Sequence, residues 1–310
     1  MLLYLSPTLA FGQGLPSYRP INPLTSSRTA LGFIPVNAVS PGWSGEVAVD
    51  YASLIESSTR DPARVLLDAE ILRMTMQVRH SIGTRGFLEL GGAVSAAHAG
   101  FLDGPVNWYH DLVGFNEATR RERPSNAFAY QLTLPDHSTV QREASGLRLT
   151  ELQLTGGLRH SERWQTVARI FLPTGGGDAE YGQTTVATGL VTTLRSAVIG
   201  DRLTLEGSVG VGFTPTSGEL AEWQRSWLAS ASGGAKLRFW GQQSIYANFM
   251  VHSAMYQGTT VPALDREEVS LDFGFLFRPG NGPEIVAGLV EDLYAFGPAV
   301  DLVLRLGVRW

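Results

Sequence analysis

The sequence predicts an all-β protein: a transmembrane, up-and-down antiparallel β-barrel of about 12 strands, with a short helix in a long outer loop. Three observations carry this. Stretches of roughly ten residues alternate apolar and polar side chains along most of the chain. The 310 residues are 44% apolar, yet no window reaches the ~18 consecutive apolar residues of a membrane helix. Aromatic residues stand near strand ends, at Trp43, Trp227, Phe239, Phe277 and Trp310, where interfacial girdles belong. Lipid offers the backbone no hydrogen bonds, so without helices only a closed barrel can span it. A large soluble β-sandwich is the alternative; it predicts polar outward faces and fewer aromatic strand ends.

Composition agrees. Charged residues are 17%, below the roughly 25% of soluble domains. The chain has no cysteine, which suits passage through an oxidising compartment without disulfides. Net charge is -5 with no basic cluster, which argues against nucleic acid as a partner. Lys236 is the one lysine; the other bases are arginines.

Residues 1–12 hold a short apolar stretch followed by small residues at Ala10 and Gly12, as in a signal peptide. The usual positive charges are missing, which points to a truncated or misassigned start. Residues 13–42 are proline-rich, with prolines at 16, 20, 23, 35 and 41, and show no clean period. Preceding the first strand, they begin in the periplasm and are expected either to hang there or to fold up into the lumen as a plug. The barrel occupies 43–310.

The strands follow in order. Residues 43–53 turn Val47, Val49 and Tyr51 outward and Glu46 and Asp50 inward; 65–80 turn Leu72, Met74 and Met76 outward and Arg73, Thr75 and Gln77 inward. Residues 87–97 set Leu88 and Leu90 against Glu89, and 146–158 set Leu152 and Leu154 against Glu151 and Gln153. The phase of 164–172 is open, with Ala168 and Ile170 opposite Gln165 and Arg169; 184–194 carries Val186, Leu190 and Leu194. Residues 203–213 alternate cleanly, Leu205, Val209 and Val211 against Glu206, Ser208 and Gly210. Residues 226–239, 245–255 and 269–277 set Trp227, Phe249 and Phe273 against Lys236, Arg238, Asn248, His252 and Asp272. Residues 284–291 are ambiguous in phase. The terminal strand sets Leu302, Leu304, Leu306, Val308 and Trp310 against Asp301, Arg305 and Arg309. Its aromatic ending is expected to be read by the barrel-assembly machinery.

Link lengths check the count. Short links at 80–86, 159–163, 196–201, 240–243 and 278–283 alternate with longer ones at 56–64, 173–183, 214–225, 256–266 and 292–298. The alternation holds only if 126–134 is kept out of the wall, as a hairpin returning through 137–142 within the outer loop.

Chemistry is sparse. The inward charges are nearly balanced, so most are expected to pair across strands, and strong ion selectivity is disfavoured. No nucleophile elbow, phosphate loop or metal-ligand spacing is present, so neither an enzyme nor a cofactor is expected. Asp178 and Glu180 are too few for a calcium site. In 101–115, Asp103 is expected to cap a short helix with Pro105 in its first turn. Trp108, His110 and Asp111 would lie on it, packed into the barrel mouth, and Arg120 with its neighbours at 121 and 123 would face lipopolysaccharide phosphates or solvent. The lumen and mouth candidates are thus Asp103, Trp108, His110, Asp111 and Arg120, together with Glu206, Lys236, Arg238, His252, Asp272, Asp301 and Arg305.

The segments PSYRPINPL (16–24), GFLDGPVNWYHDLVGF (100–115) with Arg120 and RPSN (123–126), GLRLTELQL to ARIFLPTG (146–175), LVED (289–292) and 299–310 resemble domain-of-unknown-function family 3187, a family of proteobacterial outer-membrane proteins. The resemblance implies a Gram-negative outer-membrane barrel and singles out Asp103, His110, Arg120, Pro173, Gly175, Glu291 and Asp292. It implies no activity. Extra glycines after Gly175 depart from the pattern. A monomeric barrel serving as a narrow or gated channel for small solutes is the leading expectation, in contact with outer-membrane lipid and lipopolysaccharide. A structural or surface-interaction barrel with a filled lumen comes second, and a lipid-modifying enzyme third.

Overall fold

The computed structural model describes residues 14–36, 42–60, 62–114, 123–174, 182–196, 202–293 and 300–310. The expected signal peptide, Arg120, Arg121, Gly175, Asp178 and Glu180 lie outside them. In chain order come β1 (Trp43–Arg60), β2 (Ala63–Ile82), β3 (Gly86–His98), a hairpin of β4 (Ala129–Thr133) and β5 (Thr139–Gln141), then β6 (Ser145–Ser161), β7 (Trp164–Phe171), β8 (Ala187–Ser196), β9 (Leu203–Phe213), β10 (Trp227–Trp240), β11 (Gln243–His252), β12 (Glu268–Phe277), β13 (Glu284–Asp292) and β14 (Leu302–Arg309). Among the helices are α1 (Pro23–Ser26), α2 (Asp103–Val113) and α3 (Pro262–Asp265).

Apart from the hairpin, twelve strands close into an antiparallel barrel. Each pairs with its neighbour in the chain, and β14 returns to β1 from Glu46↔Arg309 to Ser53↔Leu302. Closure leaves the wall no unpaired edge. Alternation sorts the faces: on β9, Val209 is 63% exposed and Glu206 3% exposed. The two phases open in the sequence are settled. Ala168 and Ile170 face out from β7 with Gln165 and Arg169 inward, and Ala287 faces out from β13 with Val286 and Val290 inward.

Tight turns gather at one end of the barrel, as between β6 and β7 or β10 and β11; the longer connections gather at the other. The expected long link at 56–64 is not there. β1 and β2 stay paired up to Arg60↔Ala63, well past the last β1–β14 pair, because Ala63, Val65 and Leu67 alternate with Arg64, Leu66 and Asp68 and bury one apolar face in a shared core. The β4–β5 hairpin stands outside the wall, within the long outer excursion, and adds to this extension through Arg64↔Thr133 to Asp68↔Ala129.

The extension covers the loop end. Val65, Leu67, Leu132 and Val140 share one apolar core with Leu220, Tyr256, Val261 and Leu264 from the loops 214–226 and 253–267. Arg142, just beyond β5, pairs with Glu219 at 2.8 Å. Four strands and two loops thus form a lid.

Candidate functional site

Inside the barrel, residues 14–36 form a second object. Tyr18 and Phe33 exchange backbone hydrogen bonds of 3.2 and 2.9 Å, making a hairpin with both ends at the turn end of the barrel. Its tip is α1, started by Pro23 and capped by the Asn22 side chain, which accepts from the Leu24 amide at 2.9 Å. Leu15, Leu24, Leu31, Phe33 and Ile34 are all buried.

A chain with so many prolines and so little internal pairing leaves carbonyls unsatisfied, and the wall supplies donors. Arg309 reaches the Leu15 and Gly14 carbonyls at 3.0 and 3.1 Å, and Arg305 the Ser17 carbonyl at 3.2 Å. Arg73 donates to the Pro20 and Arg19 carbonyls at 2.8 and 3.1 Å. Thr193 and Gln165 donate to Ile34 and Pro35 at 2.7 and 3.2 Å. At the tip, Arg28 donates to the Pro215 carbonyl at 2.8 Å and Tyr256 to the Leu24 carbonyl at 3.1 Å, tying the plug to the lid. Glycines on β8–β10 make the room: a Cβ on Gly212 would stand 3.2 Å from Leu31, and one on Gly234 2.7 Å from Leu15.

The same arginines are held by carboxylates. Asp50 accepts Arg305 at 2.7 Å and Arg73 at 3.1 Å; Asp272 accepts Arg305 at 3.2 Å and the Tyr246 hydroxyl at 2.9 Å. Arg19 of the plug pairs with Glu151 of β6; burial pushes its guanidinium down to about 10, against the pull of that carboxylate. Arg79–Glu89 at 2.7 Å, Arg195–Glu206 and Arg309–Glu284 continue the pairing. Cavities between plug and wall include two of about 20 and 30 Å³, each room for a water or two.

The structure brings Asp272 and Arg305 together in this network. Glu206 joins it from the turn end, accepting Arg195 at 2.7 Å and the Val36 amide of the plug at 3.3 Å, and Lys236 lies half-buried on neighbouring β10. His252 is apart, near the loop end, 3.0 Å from Glu268. Asp301 is half-buried where the chain enters β14, and Arg238, expected in the lumen, is exposed at the turn end, where β10 leaves the barrel. Sequence reasoning missed Arg19 of the plug, although it lies in the segment PSYRPINPL, and Arg195 of β8, which no motif marks.

The mouth candidates go elsewhere. α2 does not fold into the mouth; it lies on the outer wall. The residue entering it, Leu102, and Val106 pack on Leu302, Tyr51 and Leu289, all outward-facing positions of β14, β1 and β13. Cross-strand pairing proves the face: Glu70, Ser53, Leu302, Glu291, Leu271 and Phe249 form one row around the barrel, and Phe249 is 43% exposed. The physical reason is that this row holds two acids, Glu70 and Glu291, on a face that elsewhere is apolar, and they need cover. Glu70 accepts the Leu102 amide, and Tyr109 reaches Glu291. Gly100, at φ 71°, lies against Glu70, where a Cβ would overlap the carboxylate.

Asp103 is not the cap; the cap position is Leu102, and the Asp103 carboxylate instead accepts the Asn126 amide, tying the helix to the outer excursion. His110 is buried toward the wall, while Trp108 and Asp111 are exposed on the far side. Half of the signal for this placement was legible: Glu70 falls in phase with the outward Leu72, whereas the phase of Glu291 and Leu289 was open until the barrel closed.

Among the described residues, no three His, Cys, Asp or Glu side chains are placed to hold a metal ion. A family model described as protein of unknown function (DUF3187) matches residues 14–310, and the chain belongs to that family. No curated protein matches the sequence. Among solved structures, an outer-membrane channel from Pseudomonas putida F1 is similar at TM-score 0.53 and 13% identity, over 88% of this chain and 97% of that one. The NanC porin follows at TM-score 0.49 and 7% identity, over 86% and 98%. At 13% identity the first of these is a likeness of fold alone: the fold is that of outer-membrane barrels.

Proposed function

We propose that this family member is a gated channel of the Gram-negative outer membrane, held here in its closed state, with residues 14–36 as the gate. One observation carries the reading. The lumen is occupied by a hairpin that is separate from the wall strands, and both its ends lie at the turn end, which in outer-membrane barrels faces the periplasm. A segment so attached can be drawn out toward the periplasm without unpairing a wall strand. Behind it the wall is polar and charge-balanced, which suits small solutes without strong ion selectivity. Burial of each large apolar plug side chain contributes about 1.5–3 kcal/mol, so opening needs a driving force and not thermal fluctuation alone.

A second reading has its own support: the lid and the plug together close both ends of the lumen, as a filled structural barrel would require. Planar-bilayer recording separates the two. Deleting residues 14–36 should convert a silent protein into one with stepwise conductance. A deletion variant that inserts, shows the heat-modifiable gel mobility of a folded barrel and stays silent would favour the structural barrel.

A further inference from the structure

The outer wall carries a feature that the channel reading leaves unused. The seam of the barrel, where its first and last strands meet, ends at Ser53↔Leu302. α2 crosses the wall at that point, with Val106 fully buried on Leu302 of β14 and Tyr51 of β1. Its approach is fixed from both sides of the seam, by Glu70 of β2 holding the Leu102 amide and by Glu291 of β13 meeting Tyr109.

The opposite edge of the helix is open among the described residues, apart from Phe101, just before α2, whose ring lies 5.2 Å from that of Tyr51. Phe101, Trp108 and Leu112 are 64%, 67% and 68% exposed, among the most exposed large apolar side chains of the protein, in the range of the wall's own Val209 at 63% and Leu306 at 60%. They continue the lipid-facing surface outward from the row that contains Phe249 and Leu271. Water is a poor solvent for such an edge, and an outward tryptophan at a strand-end level suits the boundary between acyl chains and headgroups.

We propose that α2 lies in the outer leaflet, with lipid acyl chains against Phe101, Trp108 and Leu112, and that it clamps the barrel seam while keeping Glu70 and Glu291 out of the lipid. The inference rests on the membrane reading and not on channel activity. Lipid on one side of the helix and the seam on the other make a single layer, so removing either contact weakens the other.

The test uses the whole chain reconstituted in phospholipid vesicles, with nitroxide labels on Trp108→Cys, Leu112→Cys and, as a control on the wall, Phe249→Cys. Accessibility to oxygen and to a water-soluble nickel chelate is measured at each. All three sites should favour oxygen several-fold. Nickel-accessible labels at 108 and 112 beside an oxygen-accessible 249 overturn the outer-leaflet helix and leave the barrel standing. A nickel-accessible 249 overturns the membrane reading and this inference with it. The clamp has its own readout: Val106→Ser should speed hydrogen exchange at 51–53 and 302–304, leaving 203–213 unchanged. Unaltered exchange at the seam refutes the clamp, and the labels test the helix even if this variant does not fold.

Discussion

Asp50 shows how much one residue holds. It is 1% exposed and receives both Arg73 and Arg305, which in turn hold the plug carbonyls of Arg19, Pro20 and Ser17. Asp50→Ala leaves two buried guanidinium groups without this partner, and removing one member of a buried pair costs about 3–5 kcal/mol. Equilibrium unfolding in lipid should show a loss of that size, accompanied by a less firmly held plug. On the outer face the energetics reverse. Val211 is 46% exposed to the surroundings of the barrel; arginine there should destabilise by roughly 2–4 kcal/mol if it sits near the bilayer midplane. The same unfolding assay checks this, and an unchanged midpoint would mean that Val211 faces water.

At the scale of elements, the wall strands were legible because period-2 alternation needs nothing but local sequence. The extension of β1 and β2 past the rim was not, since it is held by an apolar core shared with loops far away in the chain. The placement of α2 shows a different limit. The segment 101–115 was readable as a helix from Pro105 in its first turn, although the cap expected at Asp103 falls at Leu102. Adjacent residues on a helix point about 100° apart, so His110 and Asp111 had to part company. Whether the apolar side would meet the mouth or the wall depended on Glu70 and Glu291, acids out of place on an apolar face. Glu70 was readable as such, in phase with the outward Leu72; Glu291 was not, because the phase of its strand was open and the two meet α2 only when the barrel closes.

Across the whole molecule, plug and lid form one closed unit, joined by Arg28, Tyr256 and the Arg142–Glu219 pair. If the lid gates the loop end, tying it down should matter even without the plug. In a variant lacking 14–36, cysteines at Arg142 and Glu219 joined by a short bifunctional thiol reagent should reduce conductance, and a reducible reagent should let it recover. Equal conductance before and after cleavage would leave the plug as the sole gate.

By itself the sequence determined that the chain forms strands and not membrane helices, that about twelve of them make the wall, which side chains face out on most of them, and that the hairpin near 126–142 stays out of the wall. These follow from alternation and link length, which are local. Only the tertiary structure decided that residues 14–36 occupy the lumen and that α2 lies on the outer wall. Both are set by contacts between segments far apart in the chain: arginine side chains finding the carbonyls of a proline-rich hairpin, and a helix covering two carboxylates on strands that meet only when the barrel closes.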